Sequence, residues 1–407
     1  MSRAGWLAVL LGLSVAAPSA AQTFEATLLP DEQFEDLGHS IDLSGTTLVA
    51  TARLATGSVD VFVLSGGAWS LQAELTTTQP LNYGELGYAL ALDGDVLLAG
   101  APKQSDGSWN DPGYQHGAAF VFRRSGVTWS QEASLQPATL APLDQFGQAV
   151  ALSGNVAAVG APLADPLGQR SGRAWIFRRT AGTWSEEASL QAPDGAAEQR
   201  FGDSIALSAT TLVVGAPRAV GAVADAGAAY VYVFDGSAWI LQQKLVAPYG
   251  ARGDHFGQSL SLDGDQLAVG VPRRDIAGAG NAGAVAVFLR SGSSWQLESW
   301  LAAPAPGPAD NLGWSVALQG DVLLAGAPDD DSTAPMAGIV RRWRRVSDLW
   351  TSQGVLVGPS AASGDKCGAS VALDGDRAAS GCLWREGPAL GSNGAVDVWS
   401  GVLGGGR

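Results

Sequence analysis

The sequence predicts an all-β protein: a seven-bladed β-propeller of four-stranded antiparallel blades, closed when its N-terminal strand completes the last blade. Three observations carry this reading. One phrase recurs seven times at near-constant spacing, each copy holds strand-like runs in the same order, and the run missing from the last copy stands alone before the first.

The phrase is clearest from Phe146 (FGQAVALSGNVAAVGAP), Phe201 (FGDSIALSATTLVVGAP) and Phe256 (FGQSLSLDGDQLAVGVP), with more worn copies from Leu37, Leu86, Leu312 and Cys367. Its second-position glycines, Gly38, Gly87, Gly147, Gly202, Gly257, Gly313 and Gly368, stand 49, 60, 55, 55, 56 and 55 residues apart. Self-similarity at such a period marks units that bury their apolar faces against one another. It overrides the two or three domains that a length of 407 residues would suggest.

Within each copy, two runs of small and branched residues flank a short Ser-Gly or Asp-Gly turn, which is a hairpin signal. A third run follows the Gly-Ala-Pro loop, as in GAAFVFRR from Gly117, and a fourth opens with Trp69, Trp129, Trp184, Trp239, Trp295 or Trp350. Only six copies have this Trp strand. The seventh stops after a third run at Val396 to Trp399, while QTFEATL at Gln22 to Leu28 aligns with WSLQAEL from Trp69, Gln22 taking the Trp place. Lending that strand to the last blade closes the ring and removes its open edges. A linear solenoid needs no such exchange. The propeller is expected over residues 22–400, with a Gly-rich tail at 401–407.

Residues 1–21 read as a signal peptide. A basic start at Arg3 precedes an apolar run from Gly5 to Ala17, and Ser19 and Ala21 fit the positions before a cleavage site, so the mature chain is expected to start at Gln22. The apolar run is too short to span a bilayer comfortably. No later segment approaches 18 uninterrupted apolar residues. The mature protein is expected to be secreted (extracellular, periplasmic or cell-surface), monomeric and without a membrane span. A formal net charge of −15 repels phosphate backbones, which argues against nucleic acid as a partner.

The phrase FG…GAP followed by G-A-V-x-V-F resembles the FG-GAP repeat, known from the seven-bladed propeller of integrin alpha chains and from many bacterial secreted proteins. The resemblance covers nearly all of Gln22 to Ser400. It implies an extracellular adhesion or interaction role and names no ligand. Many such propellers hold calcium in a D-x-D/N-x-D-G-x-x-D turn between first and second strands. The matching turns here, among them LDGDV, LSGNV and LDGDR, are too short to supply six or seven oxygens. Asp93 with Asp95, Asp263 with Asp265 and Asp374 with Asp376 therefore read as turn formers. Asp165, Asp275 and Asp331, each three residues after the Pro of the phrase, are weak candidates for a cation site; the reading favoured is a carboxylate capping loop amides. No cofactor is assigned, and calcium remains a reading without its usual pattern.

Catalysis finds little support. The histidines His39, His116 and His255 lie in different repeats, and no G-x-S-x-G, H-E-x-x-H or P-loop pattern occurs. Arg252, Gly253 and Asp254 spell RGD, but Asp144 stands at the place of Asp254 in another copy, so the acid belongs to the repeat. The run Arg341, Arg342, Trp343, Arg344 and Arg345 sits on a third strand, where Arg123, Arg124, Arg178 and Arg179 match its last two arginines, and reads as strand surface. The six strand-opening tryptophans, with Trp343 and Trp399, read as packing between blades.

Loop length varies mainly on the face that carries the second-to-third connections, and variable loops on a rigid scaffold are where binding resides. The longest, Lys103 to His116, holds Trp109, Asp111, Tyr114 and His116. The residue after each FG-type glycine varies, as His39, Tyr88, Gln148, Asp203, Gln258, Trp314 and Ala369. With first strands innermost, these seven are expected to ring the channel mouth beside that loop. Trp109, Asp111, Tyr114, His116 and Trp314 are the candidate binding residues. The chain thus reads as a binding module for an extracellular protein or glycan. The alternatives are a propeller hydrolase or lyase with a channel site, or a structural surface or matrix component.

The two cysteines are expected to form a disulfide. In a hairpin turning at Asp374 and Gly375, positions summing to 749 face each other, and Cys367 with Cys382 satisfies the sum.

Overall fold

The computed structural model describes residues 22–30, 37–53, 57–78, 84–105, 115–386 and 393–403. The signal-peptide assignment lies outside them, as do Trp109, Asp111 and Tyr114. The described residues form 28 strands in seven four-stranded sheets. Six blades run in chain order from inside to outside; blade 1, for example, is Ile41–Ser44, Thr47–Arg53, Ser58–Ser65 and Ala68–Leu75. Blade 7 takes Cys367–Asp374, Arg377–Cys382 and Ala395–Ser400 from the end of the chain and Thr23–Leu28 from its beginning. That last pair is antiparallel, with Thr23 opposite Ser400 and Leu28 opposite Val396. The first strands of adjacent blades touch around the ring and line its channel.

The repeated phrase has a steric cause. Gly257 of blade 5 has φ +89°, open to glycine at little cost, and a Cβ there would lie 2.6 Å from the Ala228 carbonyl oxygen of blade 4. Its own N–H donates to the carbonyl of Gly270, the glycine of the following Gly-Val-Pro, at 3.1 Å. The Gly-Ala-Pro glycine in turn faces the next blade's FG turn: a Cβ at Gly215 would collide with the carbonyl oxygen of Gly257. The two glycines are thus where neighbouring backbones touch. Blade 1 carries Thr51 at the second place, and its hydroxyl donates to the Gly87 carbonyl at 2.5 Å.

Between blades the core is aromatic and aliphatic. Phe146, Phe201 and Phe256 are fully buried, and their rings meet Trp175, Tyr230 and Phe288 edge-on at 5.5, 5.5 and 6.0 Å, the offset geometry aromatic quadrupoles favour. The strand-opening tryptophans bind as well as pack. Each indole N–H is aimed at the preceding blade: Trp69 to Glu25 at 3.0 Å, Trp129 to Gln72 at 3.0 Å, Trp184 to Glu132 at 2.8 Å, Trp295 to Gln242 at 2.9 Å and Trp350 to Glu298 at 2.9 Å. Glu25 belongs to the borrowed N-terminal strand, so the closing joint repeats the same bond. Trp239 is the exception. Its N–H has no partner, and Glu187 at the acceptor place is instead held by Arg178 through two bonds of 2.9 Å.

The disulfide between Cys367 and Cys382 is present, but the register that predicts it needs correcting. Ser370↔Gly381 through Asp374↔Arg377 all sum to 751, so the turn is Gly375-Asp376. The ladder shifts between Cys367 and Ser370, where the FG-type turn inserts, and this shift alone brings the two sulfurs together.

Candidate functional site

The channel mouth is built by one turn, repeated. Glu85, Gln145, Arg200, His255, Asn311 and Lys366, each just before the FG-type pair, hold positive φ between 53° and 60°. The residue after the glycine then donates its N–H back to that residue's carbonyl, as from Tyr88 to Glu85 at 3.1 Å and from Trp314 to Asn311 at 3.1 Å. Each turn therefore delivers one side chain to the mouth at a fixed place. The seven delivered residues, His39, Tyr88, Gln148, Asp203, Gln258, Trp314 and Ala369, line one cavity of about 290 Å³ with the start of the first strands.

That lining is chemically mixed. His39 and Tyr88 lie with ring centroids 4.9 Å apart, and the Gln148 amide donates to the Tyr88 hydroxyl at 2.8 Å. Burial raises the Tyr88 hydroxyl above its ordinary value. Burial also raises the Asp203 carboxyl, against the pull of Arg200 and Arg218. Trp314 keeps 41% of its surface exposed, which is unusual for so large an apolar ring. His116 is buried and sits against the Gly117 carbonyl and the Gln136 amide. Of the five binding candidates, then, Trp314 is at the mouth, His116 is packed inside, and three lie outside the described residues.

The acids singled out in the sequence have structural partners. Asp93, Asp263 and Asp374 each accept the turn glycine N–H of the next blade at 2.6 Å, from Gly154, Gly320 and Gly45. Asp95 and Asp265 take the Nε of Arg124 and Arg290 at 2.7 and 2.5 Å. Asp93, Asp263 and Asp374 thus fasten blades to one another, while Asp95 and Asp265 hold a third-strand arginine of their own blade. Asp165, Asp275 and Asp331 accept loop amides from Arg170, Asn281 and Met336 at 2.6, 2.9 and 2.7 Å. Asp254 of the RGD sequence is buried, accepts the Ala251 N–H at 2.9 Å and pairs with Arg274 at 3.1 Å. Asp144, Asp310 and Asp365 bond the equivalent amides at 2.8, 2.7 and 2.9 Å. In the arginine run, Arg341 pairs with Asp330 and Arg345 with Glu298.

Four segments, 69–122, 129–177, 184–232 and 239–288, match the family model described as FG-GAP repeat. Each runs from the fourth strand of one blade to the third strand of the next. The chain is an FG-GAP repeat protein. In this FG-GAP propeller the fold supports a generic interaction or surface module, and its disulfide fits an extracellular setting. Among the described residues no helix is long and apolar enough to cross a membrane. No curated protein matches the chain.

One group escaped the sequence reading. Arg200, Arg218, His255 and Arg273 gather beside the mouth at blades 4 and 5, and Arg218 and Arg273 are charged neighbours of His255. The signal was available in the repeat columns, since Arg200 and His255 precede FG pairs and Arg218 and Arg273 follow the Pro of the phrase.

Proposed function

We propose that this FG-GAP propeller is a secreted binding module that takes an extracellular protein or glycan at its channel mouth. The observation that carries the reading is the ring of seven delivered residues. The scaffold repeats in every blade, yet the seven side chains placed at the mouth are of six kinds, and one of them is the exposed Trp314. A framework held constant around a varied concave rim of aromatic and hydrogen-bonding groups suits recognition of a polar ligand.

Screening the purified protein on glycan and protein arrays, with hydrolase substrates in parallel, tests this. A ligand whose affinity falls about tenfold or more in Trp314→Ala, with an unchanged melting curve, supports it. Unaltered affinity in that variant moves the site off the mouth. Turnover of a substrate that disappears when Asp203 is replaced by Asn would make the protein an enzyme instead.

A further inference from the structure

In blades 2 and 6 the residue before the FG-type pair meets the residue after the Pro of the phrase, and the same two places meet across the joint from blade 6 to blade 7. In blade 2 these are Glu85 and Lys103, an ion pair at 2.6 Å. In blade 6 they are Asn311 and Asp329, bonded at 2.8 Å, and Asp329 also reaches Lys366 of blade 7 at 2.9 Å. Opposite charges, or a charge and an amide, meet at these places.

Blades 4 and 5 lack this pairing. The same places hold Arg200 with Arg218, and His255 with Arg273, so an arginine faces an arginine in blade 4 and an imidazole in blade 5, in a chain of formal charge −15. Backbone bonds confirm the equivalence: the Arg273 N–H donates to the Asp254 carbonyl at 3.3 Å, as Lys103 does to Gly84. Among the described residues, Arg200, Arg218 and Arg273 form no ion pair, and the Nε of Arg200 is buried without a hydrogen-bond partner. The nearby acids are too few to balance them. Asp203 stands near Arg200 and Arg218 without bonding either, and Asp225 lies 3.8 Å from Arg252. A donor left unsatisfied in a buried place is costly, and an arginine fork matches a planar or tetrahedral oxyanion.

We propose that Arg200, Arg218 and Arg273 form an oxyanion site on the mouth rim, holding the carboxylate or sulfate group of an acidic saccharide. The rest of the sugar would lie in the mouth over Gln258 and Trp314, which blades 5 and 6 deliver next in the ring. Amides bond hydroxyl groups and the exposed indole face takes the ring's C–H surface, which favours a saccharide over an acidic peptide. The proposal rests on the mouth being the binding site.

The test is calorimetric titration with oligogalacturonate, sulfated dextran and neutral dextran at low and high salt. The expected result is binding of one or both acidic polymers, weakened by salt, with neutral dextran at least tenfold weaker. Whichever acidic polymer binds identifies carboxylate or sulfate as the group read. Arg218→Gln and Arg273→Gln, whose side chains are half-buried and exposed and whose melting curves should be unchanged, are each expected to weaken binding about tenfold. Equal binding of neutral and acidic dextrans, or unchanged affinity in both arginine variants, overturns the oxyanion site while leaving the mouth standing if Trp314→Ala still weakens binding. Loss in the arginine variants with none in Trp314→Ala keeps the oxyanion site and removes the mouth. Binding of polyglutamate but of no saccharide overturns the saccharide, and binding of none of these polymers overturns the proposal.

Discussion

Replacing Gly257 by Ala should show how tightly the FG turn is wedged between blades. The new Cβ lies 2.6 Å from the Ala228 carbonyl oxygen, whereas carbon and oxygen rest comfortably only at about 3.3 Å or more. Blades 4 and 5 must therefore part locally by roughly 0.7 Å, an overpacking that costs about 1–3 kcal/mol. The φ of +89° adds about 1–2 kcal/mol of backbone strain for an L residue. Together the cost is about 2–5 kcal/mol. Unfolding entropy near 2.1 cal/mol/K per residue gives roughly 0.8 kcal/mol/K for a chain of this length, so Tm should fall by about 3–6 °C. Gly264→Ala is the control, because its φ is +57° and nothing lies within 4 Å of the new carbon. It bears only the backbone strain, about 1–2 °C. Scanning calorimetry of the two variants decides. Equal falls in Tm would refute the wedge and leave conformational preference as the whole reason for the glycine.

Removing Gln22 to Leu28 should destabilise the ring and promote association, since it exposes the edge of Ala395–Ser400 and strips Trp69 of its Glu25 acceptor; light scattering and a melting curve identical to the intact chain would count against this. Cys367→Ser with Cys382→Ser should cost about 2–4 kcal/mol, as expected for opening a loop with a sequence separation of 15, read as a lower denaturation midpoint with an unchanged slope. Stability should fall on acidification through His255. Burial, with Arg273 beside it, lowers its imidazole to about 4 from the ordinary value of 6.5, so the folded state favours the neutral ring. That contribution is present above about 6.5 and is lost as pH drops towards 4, on the order of 1–3 kcal/mol. His255→Gln, the residue found at position 145 of another repeat, should flatten this part of the pH-stability curve, and an unchanged slope would exclude His255 as its source.

Repetition made the fold legible. Seven copies fix strand order, and placing Gln22 where other strands have Trp puts Glu25 where others carry the indole's acceptor, the very bond found at 3.0 Å. The same habit misled at the cysteines. Counting residues through the hairpin assumed an unbroken ladder, while the FG-type turn shifts it by two, from 751 to 749. The mouth was legible as a ring of places. Its charge was not, because Arg200 and Arg218, or His255 and Arg273, are 18 residues apart in each case and meet only when the turn and the Pro loop fold onto one another. Nor did the sequence reveal that Asp93, Asp263 and Asp374 serve the next blade, since a turn former and a bond between neighbours use the same residue type.

The joint between blades 7 and 1 makes bonds of the kinds found at other joints. Trp69 reaches Glu25, Asp374 holds the Gly45 N–H, and Ser370 Oγ donates to the Gly38 carbonyl at 2.7 Å, as Ser204 does to Gly257 and Ser315 to Gly368. Thr23 and Ser400 stand side by side in the ladder, in the way Thr180 and Thr183 do at an ordinary outer hairpin. The circle consequently has no privileged origin. A two- or three-residue bridge from Ser400 to Thr23 would turn the borrowed strand into a hairpin like its six counterparts, and the backbone could then be opened at another outer turn with the other strand pairings kept. Where the polypeptide starts is an accident of connectivity that the assembled wheel does not register.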